Sequence, residues 1–454
     1  MRRCMGILLA AALPVAVARP AHGQFDASVR GAGLAGAYLG LARGHEALDW
    51  NPANLGLPDG PAWSVGLPRL NFAGTMLGPS LLDMTDVWGQ GENIADQDRE
   101  DLLAQIPETG MEMRGDVHIP WASLSVGPVA VGVSSTALVG SSIGKELVDL
   151  VLYARQYGDV DHDRIGEYRV GNTAFRDAVY TTVSAAYGHT LPLLLPFPVS
   201  VGVTARYVLG HRLERGRIFE PRVDLDGQEI YLTALGIRSD VGTGYGVDIG
   251  AAAQPFPGLT IGLAIENVWQ RMTWDDGLVL SGDEFAGSEI GEVGLQDFEE
   301  RLEPRSFDPT AAPIAAYEVV DNLFTEAFFP RVVRVGAAYQ HGGTALGATL
   351  STTQGEGDLY TGWPQYLAVG LEQRLPLLSF WTIRGGYASS LDGASAVSLG
   401  TSWQLGPIRL SAAASRATGS NAAAGPGFNP LHYGERFAAG TGYAGSLGLE
   451  VIGF

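Results

Sequence analysis

The run Val199-Ser200-Val201-Gly202-Val203-Thr204-Ala205-Arg206-Tyr207 puts apolar side chains at odd positions and small or polar ones at even positions. A period of two sends successive side chains to opposite faces of a strand, whereas a helical stripe would repeat every ~3.6 residues. The same alternation returns in Tyr245, Val247, Ile249 and Ala251, in Leu259, Ile261, Leu263 and Ile265, and in Val333, Val335, Ala337 and Tyr339. It recurs in Leu367, Val369 and Leu371 and in Trp381, Ile383 and Tyr387. The two sheets of a soluble sandwich also alternate, but their outer faces are rich in Lys, Glu and Thr. Here one face carries Gly, Ala, Ser and Thr with isolated charges, and the other Val, Ile, Leu, Tyr and Trp. Apolar outside and small or polar inside is the pattern of a barrel in lipid.

Candidate strands centre near residues 67, 123, 133, 183, 204, 232, 247, 264, 335, 347, 369, 384, 399, 411 and 448. Single-chain bacterial barrels have even strand numbers, so the expectation is an all-β fold, a transmembrane antiparallel β-barrel of about 14 strands. Two kinds of connection lie between the strands. Gly127-Pro128, Gln254-Pro255-Phe256-Pro257-Gly258 and Gly406-Pro407 are tight turns, while inserts occupy residues 75–117, 140–173, 211–229, 271–330 and 417–437. This asymmetry places the turns in the periplasm and the inserts outside. Residues 271–330 alone hold fourteen acidic side chains against three arginines.

Residues 1–23 read as a secretory signal peptide, with Arg2 and Arg3 before a short apolar core and small residues up to Ala21-His22-Gly23. The only cysteine, Cys4, lies within that segment, too early to be a lipidated residue, so disulfide and thiol chemistry are excluded from the rest. Removing residues 1–23 takes away three arginines and no acid, moving the net charge from −20 to −23. So acidic a chain repels nucleic acid. Outside this leader no segment approaches the ~18 apolar residues of a membrane helix, so any crossing is made by strands. The expected organisation is a signal peptide at 1–23, a Gly/Ala-rich segment with an Asn-Pro-Ala turn at 24–60, and a barrel at 61–454.

The stretch GAGLAGAYLGLARGHEALDWNPANL, through Gly33, Gly36, Ala37, Tyr38, Asp49, Trp50, Asn51, Pro52 and Ala53, resembles the amino-terminal signature of the FadL-like outer-membrane barrels. That superfamily also holds the PorV-type barrels of the type IX secretion system. GTGYGVDIGAAAQPFPGLTIGLAIENVW, residues 242–269, resembles its mid-barrel hairpin, and residues 146–210 are most similar to an uncharacterised branch. The resemblance implies that the amino-terminal segment folds within the barrel as a plug or hatch, with Asp49, Trp50, Asn51, Pro52 and Ala53 at its turn. It also implies a place in the bacterial outer membrane and assembly by the barrel-assembly machinery. Asp49-Trp50 stands where small residues are usual, and Phe454, the expected terminal aromatic, falls out of phase with Leu447, Leu449 and Val451. Read from the residues alone, Pro52 holds Asn51 extended and the Asn51 side chain can bond backbone nearby, which suits either a plug or a leader into the first strand.

Three constellations bear on chemistry. GSSIG, residues 140–144, matches G-x-S-x-G ahead of the helical-looking KELVDLVLYARQ, yet the alternating strand before it is not the continuously apolar strand of a hydrolase, so Ser142 is expected to open a helix and not to act as a nucleophile. Asp159, Asp161 and Asp163 have the spacing of a calcium loop, but Arg164 and Val170 replace the glycine and glutamate such a loop needs, so they make a weak candidate site. The histidines show no metal spacing, and no cofactor is implied. Arg206, Asp248, Glu266, Arg334, Glu372 and Arg384 fall on the small-residue face and should line the lumen, either as cross-lumen ion pairs or as a polar conduit. Enzymatic activity is not expected. The resemblance implies passive uptake of hydrophobic small molecules; the alternative, favoured by the acidic insert, is a PorV-like scaffold whose outer loops bind secreted or surface proteins.

Overall fold

The computed structural model describes residues 28–79, 86–87, 89, 94–108, 110–157, 173–218, 222–223, 230–231, 234–274, 278–282, 303–306, 329–354, 365–390, 394–418 and 441–453. Fourteen antiparallel strands close into one barrel. β1 is a broken strand, Trp63–Gly66 with Leu70–Leu77, followed by β2 (Met111–Val126), β3 (Val129–Ile143), β4 (Ala174–Thr190) and β5 (Val199–Ile218). β6 joins Ala234–Ser239 to Gly242–Phe256, and β7 joins Leu259–Trp274 to Leu278–Gly282. The second half is regular: β8 (Arg331–His341), β9 (Thr344–Gln354), β10 (Gln365–Arg374), β11 (Trp381–Ser390), β12 (Ser395–Leu405), β13 (Ile408–Thr418) and β14 (Thr441–Gly453). β1 closes the ring on β14, with Trp63 opposite Gly453 and Phe72 opposite Gly445.

The alternation predicted these strands because each face meets a different medium. Val201, Val203, Tyr207, Val335, Leu367, Val369, Tyr387 and Leu399 all point outward and are exposed, Leu399 to 68%. Their neighbours Ser200, Thr204, Thr349, Ser351, Ser398 and Ser402 point inward and are buried. A continuous apolar exterior would be untenable in water and is what hydrocarbon requires, while ring closure leaves no unpaired strand edge. The closed ring and its apolar exterior are those of a membrane-spanning β-barrel.

The tight turns fall on one rim, where Gly127 and Gly406 take left-handed φ of 53° and 62° that a side chain would resist. β6 runs to Phe256, so its turn narrows to Pro257-Gly258. On the other rim the strands outrun the expected insert bounds: β3 reaches Ile143, β5 Ile218, and β7 extends through Leu278–Gly282, which pairs with Glu303–Ser306. Hydrogen bonding lengthens a strand wherever a partner is present, so the loops begin later than composition suggests. The expected centre at 232 is no separate strand; Ala234–Ser239 continues β6, beside the short pair Arg222–Val223 and Ile230–Tyr231. Two rim helices, Asp96–Ala104 and Lys145–Tyr157, are tied by a bond of 2.8 Å from Gln156 Nε2 to Asp96, and Lys145 Nζ donates at 2.8 Å to Glu108, just beyond the first of them. Residues 1–27 and Phe454, with the readings made on them, lie outside the described residues.

Candidate functional site

Residues 28–57 pack against the inward faces of the strands. Ser28 Oγ accepts from the Gly31 amide at 3.1 Å and caps the helix α1 (Val29–Gly33). After a reversal at Leu34–Ala42, the helix α2 (Ala47–Trp50) delivers the chain to Asn51. Pro52 forbids Asn51 the helical region, and Asn51 is extended at φ −156°, ψ 104°. Its Oδ1 accepts from the Ala53 amide at 3.1 Å, capping the 3-10 helix Pro52–Gly56, and its Nδ2 donates to the Ala251 carbonyl of β6 at 3.1 Å. Ser200 of β5 donates to the Ala53 carbonyl at 2.7 Å, and Asn54 Nδ2 reaches the Leu39 and Ala42 carbonyls at 2.8 and 3.1 Å. The turn therefore fastens the segment both to itself and to the wall. Trp50, 2% exposed, meets Tyr38 edge-on with ring centres 5.4 Å apart.

Wall glycines make this packing possible. A Cβ on Gly202 would stand 2.3 Å from the Pro52 carbonyl carbon, and one on Gly386 2.2 Å from that of Leu34. The small face of the strands is small because a second backbone runs along it.

The six charges Arg206, Asp248, Glu266, Arg334, Glu372 and Arg384 pair between adjacent strands. Arg206 of β5 meets Asp248 of β6 at 2.6 Å, Arg334 of β8 meets Glu266 of β7, and Arg384 of β11 meets Glu372 of β10 at 2.5 Å. The amino-terminal segment joins two of these pairs. Arg30 Nη2 reaches Glu372 at 3.1 Å, and the Arg334 guanidinium lies 5.5 Å from the Trp50 ring centre. Glu46 accepts from Ser28 Oγ at 2.6 Å and from Tyr38 OH at 2.5 Å, with Arg30 at 3.7 Å. Burial alone would raise the Glu46 carboxyl, but Arg30, then His45 and the two hydroxyls, hold it down to about 2. Asp248 Oδ1 also accepts from the Asn267 amide at 2.8 Å, where the β6–β7 ladder slips and Asn267 turns to φ 52°. Asp49 is half-buried and has no cation within 4 Å among the described residues.

Sequence reasoning missed two features. Toward the loop rim the inner face turns apolar: Leu138, Tyr180 and Val208 cluster with Met272 and Phe329, and Ala178 and Leu213 with Met272, Trp274 and Phe329. The Tyr180 and Phe329 rings meet edge-on at 5.2 Å. Leu138 and Val208 stand in the phase otherwise filled by small residues, which was the available signal. Arg69, hidden after the interruption at Pro68, is the second. Ser142 is corrected: it lies inward on β3, opposite Glu112 and Ala174, and the helix begins at Lys145. The hydroxyl belongs to a strand ladder because β2 and β4 both extend far enough to pair there. Asp159, Asp161 and Asp163 lie outside the described residues.

No protein-family profile matches the chain, and no curated protein does. Among solved structures, it is similar to a FadL homologue of Pseudomonas aeruginosa at 14% identity over 95% of this chain and 99% of that one, with a TM-score of 0.48. The toluene transporter TbuX of Ralstonia pickettii aligns at 14% identity over 93% and 98%, with a TM-score of 0.48. The monoaromatic hydrocarbon channel CymD aligns at 12% identity over 93% and 96%, with a TM-score of 0.49. Alignments this loose add nothing to the architecture, which rests on the strand registers themselves.

Proposed function

We propose that the barrel admits hydrophobic small molecules from the outer surface toward the periplasm, with residues 28–57 as the hatch of the lumen. The observation that carries this reading is the inward apolar cluster of Leu138, Ala178, Tyr180, Val208, Leu213, Met272 and Phe329 near the loop rim. Apolar side chains on the inward face offer a small molecule what a polar lumen does not, and apolar recesses with a few polar groups are where small ligands bind. The charged belt and the turn at Asp49-Trp50-Asn51-Pro52-Ala53 then stand between this cluster and the periplasm. Uptake of a hydrophobic aromatic by intact cells carrying the barrel should exceed that of cells without it, and Val208→Asp should remove the excess while heat-modifiable gel migration persists. Uptake no greater than the empty host's would refute the proposal. The scaffold alternative draws on the acidic insert 271–330, most of which lies outside the described residues.

A further inference from the structure

On the rim of tight turns, four of the six connections between strands are two residues long: β2 to β3, β6 to β7, β8 to β9 and β12 to β13. The other two are longer and apolar. β4 passes to β5 through Leu191-Pro192-Leu193-Leu194-Leu195-Pro196-Phe197-Pro198, and β10 to β11 through Leu375-Pro376-Leu377-Leu378-Ser379-Phe380. Both begin with Leu-Pro-Leu-Leu. Their tips stand clear of the protein: Leu194 is 106% exposed and Leu377 97%, with Leu193, Leu195, Leu378 and Phe380 exposed beside them. Backbone bonds fix the tips in place. The Leu191 and Leu375 amides donate to the Val199 and Trp381 carbonyls at 2.8 and 3.0 Å, the Trp381 amide donates to the Leu378 carbonyl at 2.7 Å, and the Gln404 amide of β12 donates to the Phe380 carbonyl at 2.7 Å.

We infer that these two turns are lipid anchors, seated in the acyl chains of the leaflet on the turn side. Exposed apolar surface of this kind marks a contact with membrane or with another protein, and its continuity with the wall selects membrane. The outward residues Tyr187 and Val201 flank the first tip and Leu371 and Ile383 the second, all of them exposed on the lipid-facing side of the strands. No Asp, Glu, Lys or Arg occurs between Asp177 and Arg206, or between Arg374 and Arg384, so each tip enters hydrocarbon without carrying a charge into it. Pro192, Pro196, Pro198 and Pro376 have no N–H to be left unpaired there. The two turns lie six strands apart one way round the fourteen-strand ring and eight the other. Standing nearly opposite each other, they brace the barrel against tilting in the bilayer.

The test places single cysteines, labelled with the environment-sensitive fluorophore NBD, in the full-length barrel reconstituted in phosphatidylcholine vesicles, with the only native thiol, Cys4, replaced by serine. Leu194→Cys and Leu377→Cys are the probes, and Leu399→Cys on the outward wall marks lipid. Gly60→Cys marks water on the same rim. Gly60 is exposed beside Asp59, a Cβ there would stand 3.6 Å from its nearest neighbour, and the Ala62 carbonyl close by accepts from the Gly127 amide of the β2–β3 turn at 3.0 Å. Both probes should emit to the blue of the Gly60 site and, like Leu399, lose most of their emission to doxyl-labelled phospholipid and little to aqueous iodide. Because Gly60 shares their rim, vesicle orientation acts on all three alike. Emission and iodide quenching equal to those at Gly60, in barrels that keep heat-modifiable migration, overturn the anchors and leave the tips as a surface for a protein. Lipid quenching at one tip alone overturns the paired brace. Either result leaves the uptake reading untouched, since that reading rests on the lumen.

Discussion

Glu46 shows how one side chain can hold a whole segment. It gathers the Ser28 and Tyr38 hydroxyls and stands beside Arg30, which itself bridges to Glu372 on the wall. Glu46→Gln keeps an acceptor but removes the charge; since Arg30 retains Glu372, the loss should be about 1–3 kcal/mol, not that of a fully broken buried pair. The expected readout in planar bilayers is more frequent opening to a larger conductance. The pH dependence has a definite sign. A carboxyl held at about 2 in the packed segment, against 4.5 in a released one, stabilises packing fully above 4.5 and loses that contribution as pH falls from there toward 2. Openings of the unaltered protein should rise through that window, and the Glu46→Gln variant should show no such rise. None of this network except Glu372 and Arg384 was legible in the sequence, because Ser28, Arg30, Tyr38 and Glu46 follow no period. The Asn51-Pro52 turn was legible, since its geometry is set by the two residues themselves.

At the scale of elements, the strands were legible because two media impose two faces, whereas the meaning of the inner face was not. Glycine and serine there read equally well as lining for water or as clearance for packed backbone, and only the approach of Pro52 to Gly202 and of Leu34 to Gly386 distinguishes them. Gly386→Val should therefore displace the segment at a cost of about 1–3 kcal/mol while leaving β11 in register. Limited proteolysis should cut within residues 28–57 in this variant and spare the unaltered protein; equal resistance would show that the wall can yield. The paired change Asn51→Gly with Pro52→Gly restores the backbone freedom that proline and the asparagine cap remove. It should enlarge the single-channel conductance without changing heat-modifiable migration. Equal conductance would reduce the turn to a leader into β1. The broken β1 and the inward apolar cluster were harder to anticipate, the first because Pro68 interrupts the alternation, the second because it depends on a few apolar residues in the minority phase.

For the molecule as a whole, lipid is the reference solvent, and the same charge has opposite consequences on adjacent residues. Arg334 is buried inside and paired, while Val335 faces outward and is 47% exposed. Val335→Arg should cost ~2–4 kcal/mol in the urea-dependent folding of the barrel into vesicles if that position lies near the midplane. A cost close to zero would place Val335 at an interface. The first described residues also rest on the last strands. α1 rests on β12, β13 and β14, and a Cβ on Gly448 of β14 would meet the Val29 side chain at 2.9 Å. A closed ring cannot be threaded sideways, so a hatch formed by this segment should behave as a leash, moored at Trp63 within a spool that its own later residues wind around it. Drawn from residue 28, the leash of residues 28–62 has a contour length of roughly 120 Å at about 3.5 Å per residue. Single-molecule pulling should register that length as a separate early release before any strand gives way, and a first rupture that already includes β1 would mean that leash and spool are one mechanical unit.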